Sequence, residues 1–159
     1  MIFQTIELIK TLHQWMSRFI LLLFLVIIFL SIKALAQKKV YKKDNNFLSL
    51  LLVIFCDLTL VFGLILYFFG PYGGSNFKGY SFKEIMQTPL LRFFMVEHIT
   101  AMIISIAIVH IGRVMVKKDK ISDFSKHKKT LIWFSIAFIL ILVSIPWPFR
   151  EIGIGRNWF

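Results

Sequence analysis

The sequence predicts an all-α integral membrane protein, an antiparallel four-helix bundle that forms one membrane domain over residues 1–159. Two observations carry that prediction. Four apolar runs each approach the roughly 20 residues that a helix needs to cross a bilayer. The chain is also 58% hydrophobic with 18 Phe and a mean hydropathy of +0.77, above the roughly 45–50% apolar content of soluble domains. A third observation, the placement of positive charge, predicts orientation. Lys33, Lys38, Lys39, Lys42 and Lys43 lie between the first two runs. Arg113, Lys117, Lys118, Lys120, Lys126, Lys128 and Lys129 lie between the last two, and together these hold most of the 19 basic residues. Loops rich in Lys and Arg stay on the cytoplasmic side, so both termini and the middle loop are expected to face away from it. The net charge of +11 is thereby explained by topology and by contact with anionic lipid headgroups. The lipid bilayer, not nucleic acid, is the expected partner.

Each element follows from local pattern. Ile2, Ile6, Ile9, Leu12 and Met16 recur at nearly helical spacing among Gln4, Thr5, Glu7 and Lys10, which predicts an amphipathic lead-in that lies at the outer interface or extends the first helix. The first span is expected over about 15–32. Ala34-Leu35-Ala36 resembles a signal-peptide cleavage site, but Lys33 directly precedes it and the stronger charge follows the run, so the helix is read as retained. Asp44 or Asn45 suits the cap of the second span, about 47–69, which Gly70-Pro71 ends. Ser81 followed by Glu84 fits a capping box, predicting a short extra-cytoplasmic helix between spans two and three. Thr88-Pro89 fits the N-cap and first turn of the third span, about 89–116. The fourth, about 129–145, is stopped by Pro146-Trp147-Pro148, with Phe149, Trp158 and Phe159 as an interfacial aromatic girdle. The single Cys56 lies inside an apolar run, which excludes a disulfide framework.

Ionisable side chains inside membrane spans are costly, so each is a functional candidate. Asp57 falls near the middle of the second span. A carboxylate there must be protonated, paired or beside water. Arg18 and His13 fall at the outer end of the first span, and Arg92, Glu97, His98, His110 and Arg113 on the third. An Arg18–Glu97 ion pair is expected, since either charge alone would be stranded. His98 and His110 stand about 120° apart around a helix, so one face does not present both. His98, Ala101, Met102, Ser105, Val109 and Gly112 share a face whose small residues permit close helix approach, and a packing seam with a hydrogen-bonded histidine is one reading of it. The other pairs His98 with His13. Two imidazoles from different helices at one depth suit axial ligation of a b-type haem, which makes His13 and His98 candidate metal ligands. The inner side offers His110 and His127, the latter expected at the interface. No nucleophile with a partner base and no phosphate-binding loop is present, so no catalytic residue is assigned.

Several segments together resemble the small bacterial four-helix membrane proteins labelled cytochrome b or cytochrome b-like. They are Asp44-Asn45-Asn46, Gly63-Leu64-Ile65-Leu66-Tyr67-Phe68, Leu91-Arg92-Phe93, Val96-Glu97-His98, His110-Ile111-Gly112-Arg113, His127-Lys128 and Ile145-Pro146-Trp147-Pro148-Phe149-Arg150. The resemblance covers nearly the whole chain. It implies a multi-pass protein of the bacterial inner membrane, with haem b on His13, His98 and His110 and a role in electron transfer. The second span of that group often carries His-x-Gln where this chain reads Asp57-Leu58-Thr59, so one haem-ligand position is altered and Asp57 stands as a proton acceptor or structural substitute. The alternative expectation is a non-catalytic accessory or assembly subunit of a larger membrane complex. A further one places Asp57, Glu97 and His110 on a proton path.

Overall fold

The computed structural model describes residues 2–117 and 121–153; of residues 2 and 75–77 it describes the backbone alone. The described residues are helical, with no strand. Helix α1 spans Ile2–Ala36, α2 Lys43–Phe69, α3 Phe82–Gln87, α4 Pro89–Arg92, α5 His98–Val116 and α6 Asp123–Val143. Among the described residues three segments are long and apolar enough to cross a membrane: Phe3–Ala36, Lys43–Phe69 and Pro89–Val116. The amphipathic lead-in is continuous with the first of them.

Four long helices form a ring in the order α1, α2, α5, α6, with α5–α6 the closest contact and α2–α5 the loosest. Each neighbour runs antiparallel. His13, early in α1, meets Thr59 and Gly63, late in α2. His98, the first residue of α5, meets Ser144, just beyond α6. The core runs down the axis from all four helices: Phe24 from α1, Leu52 from α2, Val109 from α5, and Phe134 and Ala137 from α6 are fully buried. Phe24 meets Phe134 edge-on at 6.3 Å between ring centroids, a geometry that aligns the positive ring edge with the negative face. Outward, the helices expose Leu22, Phe29, Ile54, Val61, Ile103, Val114, Ile132 and Ile139. Apolar outer faces on helices of this length suit a lipid solvent.

The local signals of the middle loop hold. Ser81 accepts from the Glu84 amide while the Glu84 carboxylate accepts from the Ser81 amide, so the capping box starts α3. Thr88 is the N-cap of α4, and Pro89 opens its first turn. At the start of α2 it is Asn45, whose side chain accepts from the Lys42 amide, that closes the turn. The third span departs from a uniform helix. Between α4 and α5 the residues Phe93–Glu97 form one turn of π-helix, which inserts a residue into the repeat and re-aims every side chain after it. The last helix starts at Asp123, where Ser122 caps it through the Ser125 amide, several residues ahead of the expected 129. His127 is thereby carried into the interior at 1% exposure instead of the interface. Past α6 the chain folds back on itself. Trp147 Nε1 donates to the Leu142 carbonyl at 2.7 Å, and Arg150 Nη1 donates to the carbonyls of Val143 at 2.7 Å and Ile145 at 3.2 Å, satisfying acceptors that a helix end leaves open. Phe149 stacks on Trp147 and is exposed, as the girdle requires; Trp158 and Phe159 lie outside the described residues.

Candidate functional site

His13 and His98 come together. They belong to α1 and α5, which face each other diagonally across the ring, and their imidazole centroids stand 6.5 Å apart with the planes at 72°. Each ring is fixed in the same way. His13 Nδ1 donates to the Thr59 carbonyl at 3.0 Å, and His98 Nδ1 donates to the Ser144 carbonyl at 2.8 Å. A carbonyl only accepts, so both rings carry their proton on Nδ1, and a metal would be held through Nε2.

Neighbouring residues hold these rings in place. Gly63 opposes His13 so closely that a Cβ there would stand 3.1 Å from His13 Cε1, so the absent side chain is what admits the ring. Phe93 packs on His98 at 5.6 Å between centroids and carries the Arg150 guanidinium over its ring at 5.5 Å. Tyr67 donates its hydroxyl to the Met95 carbonyl at 3.2 Å. Met95 lies in the π turn, whose altered repeat leaves carbonyls for such outside donors.

The remaining candidates separate into four places. Glu97 does not take Arg18. Arg92 Nε donates to Glu97 Oε1 at 2.7 Å, while Arg92 Nη1 donates to the Met86 carbonyl at 3.1 Å. Arg18 lies over the ring of Trp15 at 4.7 Å instead. The expected Arg18–Glu97 pair is replaced because the π turn brings Arg92 and Glu97 of one segment within reach of each other. His110 lies about 18 Å along α5 from His98 and is bonded through Nε2 to Asp57 Oδ1 at 2.8 Å, bridging α2 and α5 with side chains 47% and 48% exposed. Glu97, held at the other end of that segment, does not join them, so the three-residue proton path is not contiguous. Arg113 is buried at the lysine-rich end. Its Nη1 donates to the Asn46 carbonyl at 3.0 Å and to Ser49 Oγ at 2.5 Å, tying the end of α5 to the start of α2.

Sequence reasoning missed the Tyr41–His127 contact at the same end, 5.0 Å between ring centroids. The Tyr41 hydroxyl and both His127 nitrogens close no hydrogen bond, although Ser49 and Thr130 lie near the hydroxyl and the Lys39 and Val40 backbone near the imidazole. A cavity of about 10 Å³ beside Tyr41, Ser31 and Thr130 has room for about one water. Among the described residues no three His, Cys, Asp or Glu side chains converge as a metal site, so a metal at the His13–His98 pair would take its other ligands from elsewhere, as haem iron does from a porphyrin. Compared with family models, curated proteins and solved structures, the chain matches none.

Proposed function

We propose that this chain is a four-span protein of the bacterial inner membrane, related to the cytochrome b-like proteins it resembles, that carries single electrons on a b-type haem held between His13 and His98. The observation that carries the reading is the matched anchoring of two imidazoles that face each other from diagonal helices. A haem iron held there would take His13 and His98 through Nε2, the nitrogens that the two carbonyl bonds leave open. The pair here stands at 6.5 Å. The Thr59 and Ser144 carbonyls fix the tautomer and hold the rings against rotation, which is how the outer hydrogen bonds of metal-bound histidines act. Arg150, one ring removed from His98, would supply positive charge to the carboxylates of a haem bound at the pair. When bound, the haem supplies a one-electron carrier whose potential follows from these ligands and the burial around them.

The fourth span rests on α6, which exposes Ile132, Ile136, Ile139 and Val143 in one stripe at the spacing of a lipid-facing face. With four spans and the two lysine-rich connections inside, both termini face out. The test is an absorption spectrum of the purified protein. Wild type should give a reduced-minus-oxidised change in the Soret and α bands that is lost in His13→Ala and in His98→Ala and kept in His110→Ala. A well-folded wild type without colour overturns the haem. It would return the chain to the accessory-subunit reading, checked by whether a membrane complex is lost when the chain is deleted.

A further inference from the structure

We infer that the α2–α5 face is where two copies of this chain meet in the membrane, with the Asp57–His110 pair of each copy hydrogen-bonded to that of the other. The inference rests on the membrane-spanning reading above and is independent of the haem. His13 and His98 are held by carbonyls of their own chain, Arg113 by Asn46 and Ser49, and the polar atoms of Thr59 and His127 that close no bond are buried inside it. Asp57 and His110 differ. They are about half exposed on the outer surface, flanked by the exposed apolar residues Ile54, Val61, Ile111 and Val114. Their single mutual bond uses Nε2 and Oδ1, and the described residues offer no hydrogen bond to His110 Nδ1 or Asp57 Oδ2. Acyl chains offer none either, and an unmet polar group in hydrocarbon costs several kcal/mol.

The chemistry left over names the occupant. With Nδ1 protonated, as in an imidazolium–carboxylate or an imidazole–carboxylic acid pair, one donor remains, Nδ1–H, and one acceptor, the second carboxyl oxygen. A group that keeps one donor and one acceptor is complementary to itself. Copies inserted with the same orientation and related by a two-fold axis along the membrane normal place equivalent residues at equal depth, which is the isologous arrangement. Nδ1 of one copy then reaches the carboxylate of the other, and the reverse bond closes the ring of four side chains. The looseness of the α2–α5 contact within one chain leaves this seam the one that a neighbouring helix can fill.

The test uses the full chain in phosphatidylcholine–phosphatidylglycerol vesicles. Val61→Cys, one turn from Asp57 on the same face, should form an oxidative disulfide between copies. Phe29→Cys, equally lipid-facing but on α1, should not; Cys56 is buried and does not interfere. Asp57→Leu combined with His110→Leu in the Val61→Cys chain should require about tenfold higher protein-to-lipid ratio for the same cross-linking, the effect of two lost interhelical hydrogen bonds. Asp57→Asn, which keeps an acceptor, should retain most of it. Absence of the Val61→Cys dimer in the otherwise intact chain overturns the proposal whatever the double variant does. So does cross-linking as strong through Phe29→Cys, or retention of a bound quinone that is lost in Asp57→Leu while the protein runs as a monomer. A colourless dimer and a coloured monomer separate failure of the haem from failure of the interface.

Discussion

Replacing Gly112 by alanine should loosen the bundle by an amount that the α5–α6 seam sets. A Cβ at position 112 would stand 2.6 Å from Trp133 Cβ and 3.2 Å from Phe134 Cε1. Carbon atoms in contact prefer about 3.5–4.0 Å. Phe134 presents a ring edge that can turn, whereas Trp133 Cβ is the root of its side chain and moves only with the backbone. The two helices must therefore part by about 1 Å along the seam. Overpacking of this kind costs about 1–3 kcal/mol, and the rigid partner puts it at the upper end. Alanine in place of glycine returns about 1 kcal/mol of helix propensity. The net loss is about 1–2 kcal/mol, a factor of roughly 5–30 in the folded-to-unfolded ratio. Reversible unfolding by SDS titration in mixed micelles, followed by helical circular dichroism, reads that loss as an earlier midpoint. Gly79→Ala is the control, because a Cβ there meets nothing within 4 Å. Gly112 lies about 21 Å along the helix from His98, so any absorption from the His13–His98 pair should keep its shape. An unchanged midpoint, or an equal loss in Gly79→Ala, refutes the close seam.

Two other outcomes follow from the same geometry. Arg113→Met removes the donor to the Asn46 carbonyl and Ser49 Oγ; at about 1.5–3 kcal/mol for hydrogen bonds to a charged group, the SDS midpoint should fall further than for Lys117→Met, whose side chain lies at the exposed end of the helix. The Ser81 hydroxyl and amide hold the Glu84 carboxyl below its ordinary value; a folded-state pKa that is depressed stabilises above the unfolded value and is lost as the pH falls through the folded one, so the protection of the Glu84 and Ile85 amides relative to intrinsic exchange should fall below about pH 4, and fall less in Ser81→Ala, which keeps the amide donor alone.

Much of this architecture was written in residue patterns, and the places where it was not share a cause. The Ser81–Glu84 box and the face of Ser105, Val109 and Gly112 depend on one segment at a time, and each came out as its spacing predicts, whereas the last helix begins at Asp123, ahead of the expected 129. The meeting of His13 and His98 was legible because both sit near the N-terminal ends of their helices, which run parallel across the ring. Partner choice was harder. Arg92 and Glu97 are five residues apart, about 140° on an α-helix, which hides their pairing; the π turn between them removes most of that angle. Nothing in the string marks that turn. His127 likewise looked interfacial from its lysine neighbours, yet the helix begins early enough that Lys128 is exposed while His127 faces Tyr41, with Lys126 Nζ 5.9 Å from the same ring. Asp57 was singled out as an intramembrane acid, but its link to His110 depends on how α2 and α5 are rotated, which only packing decides.

The two carbonyl anchors bear on how the chain is built in the membrane. His13 leans on Thr59 within the α1–α2 hairpin, and His98 leans on Ser144 within the α5–α6 hairpin. On the four-span reading proposed above, each hairpin holds its own imidazole by its own carbonyl, and what remains for the closing of the two halves is the meeting of the rings.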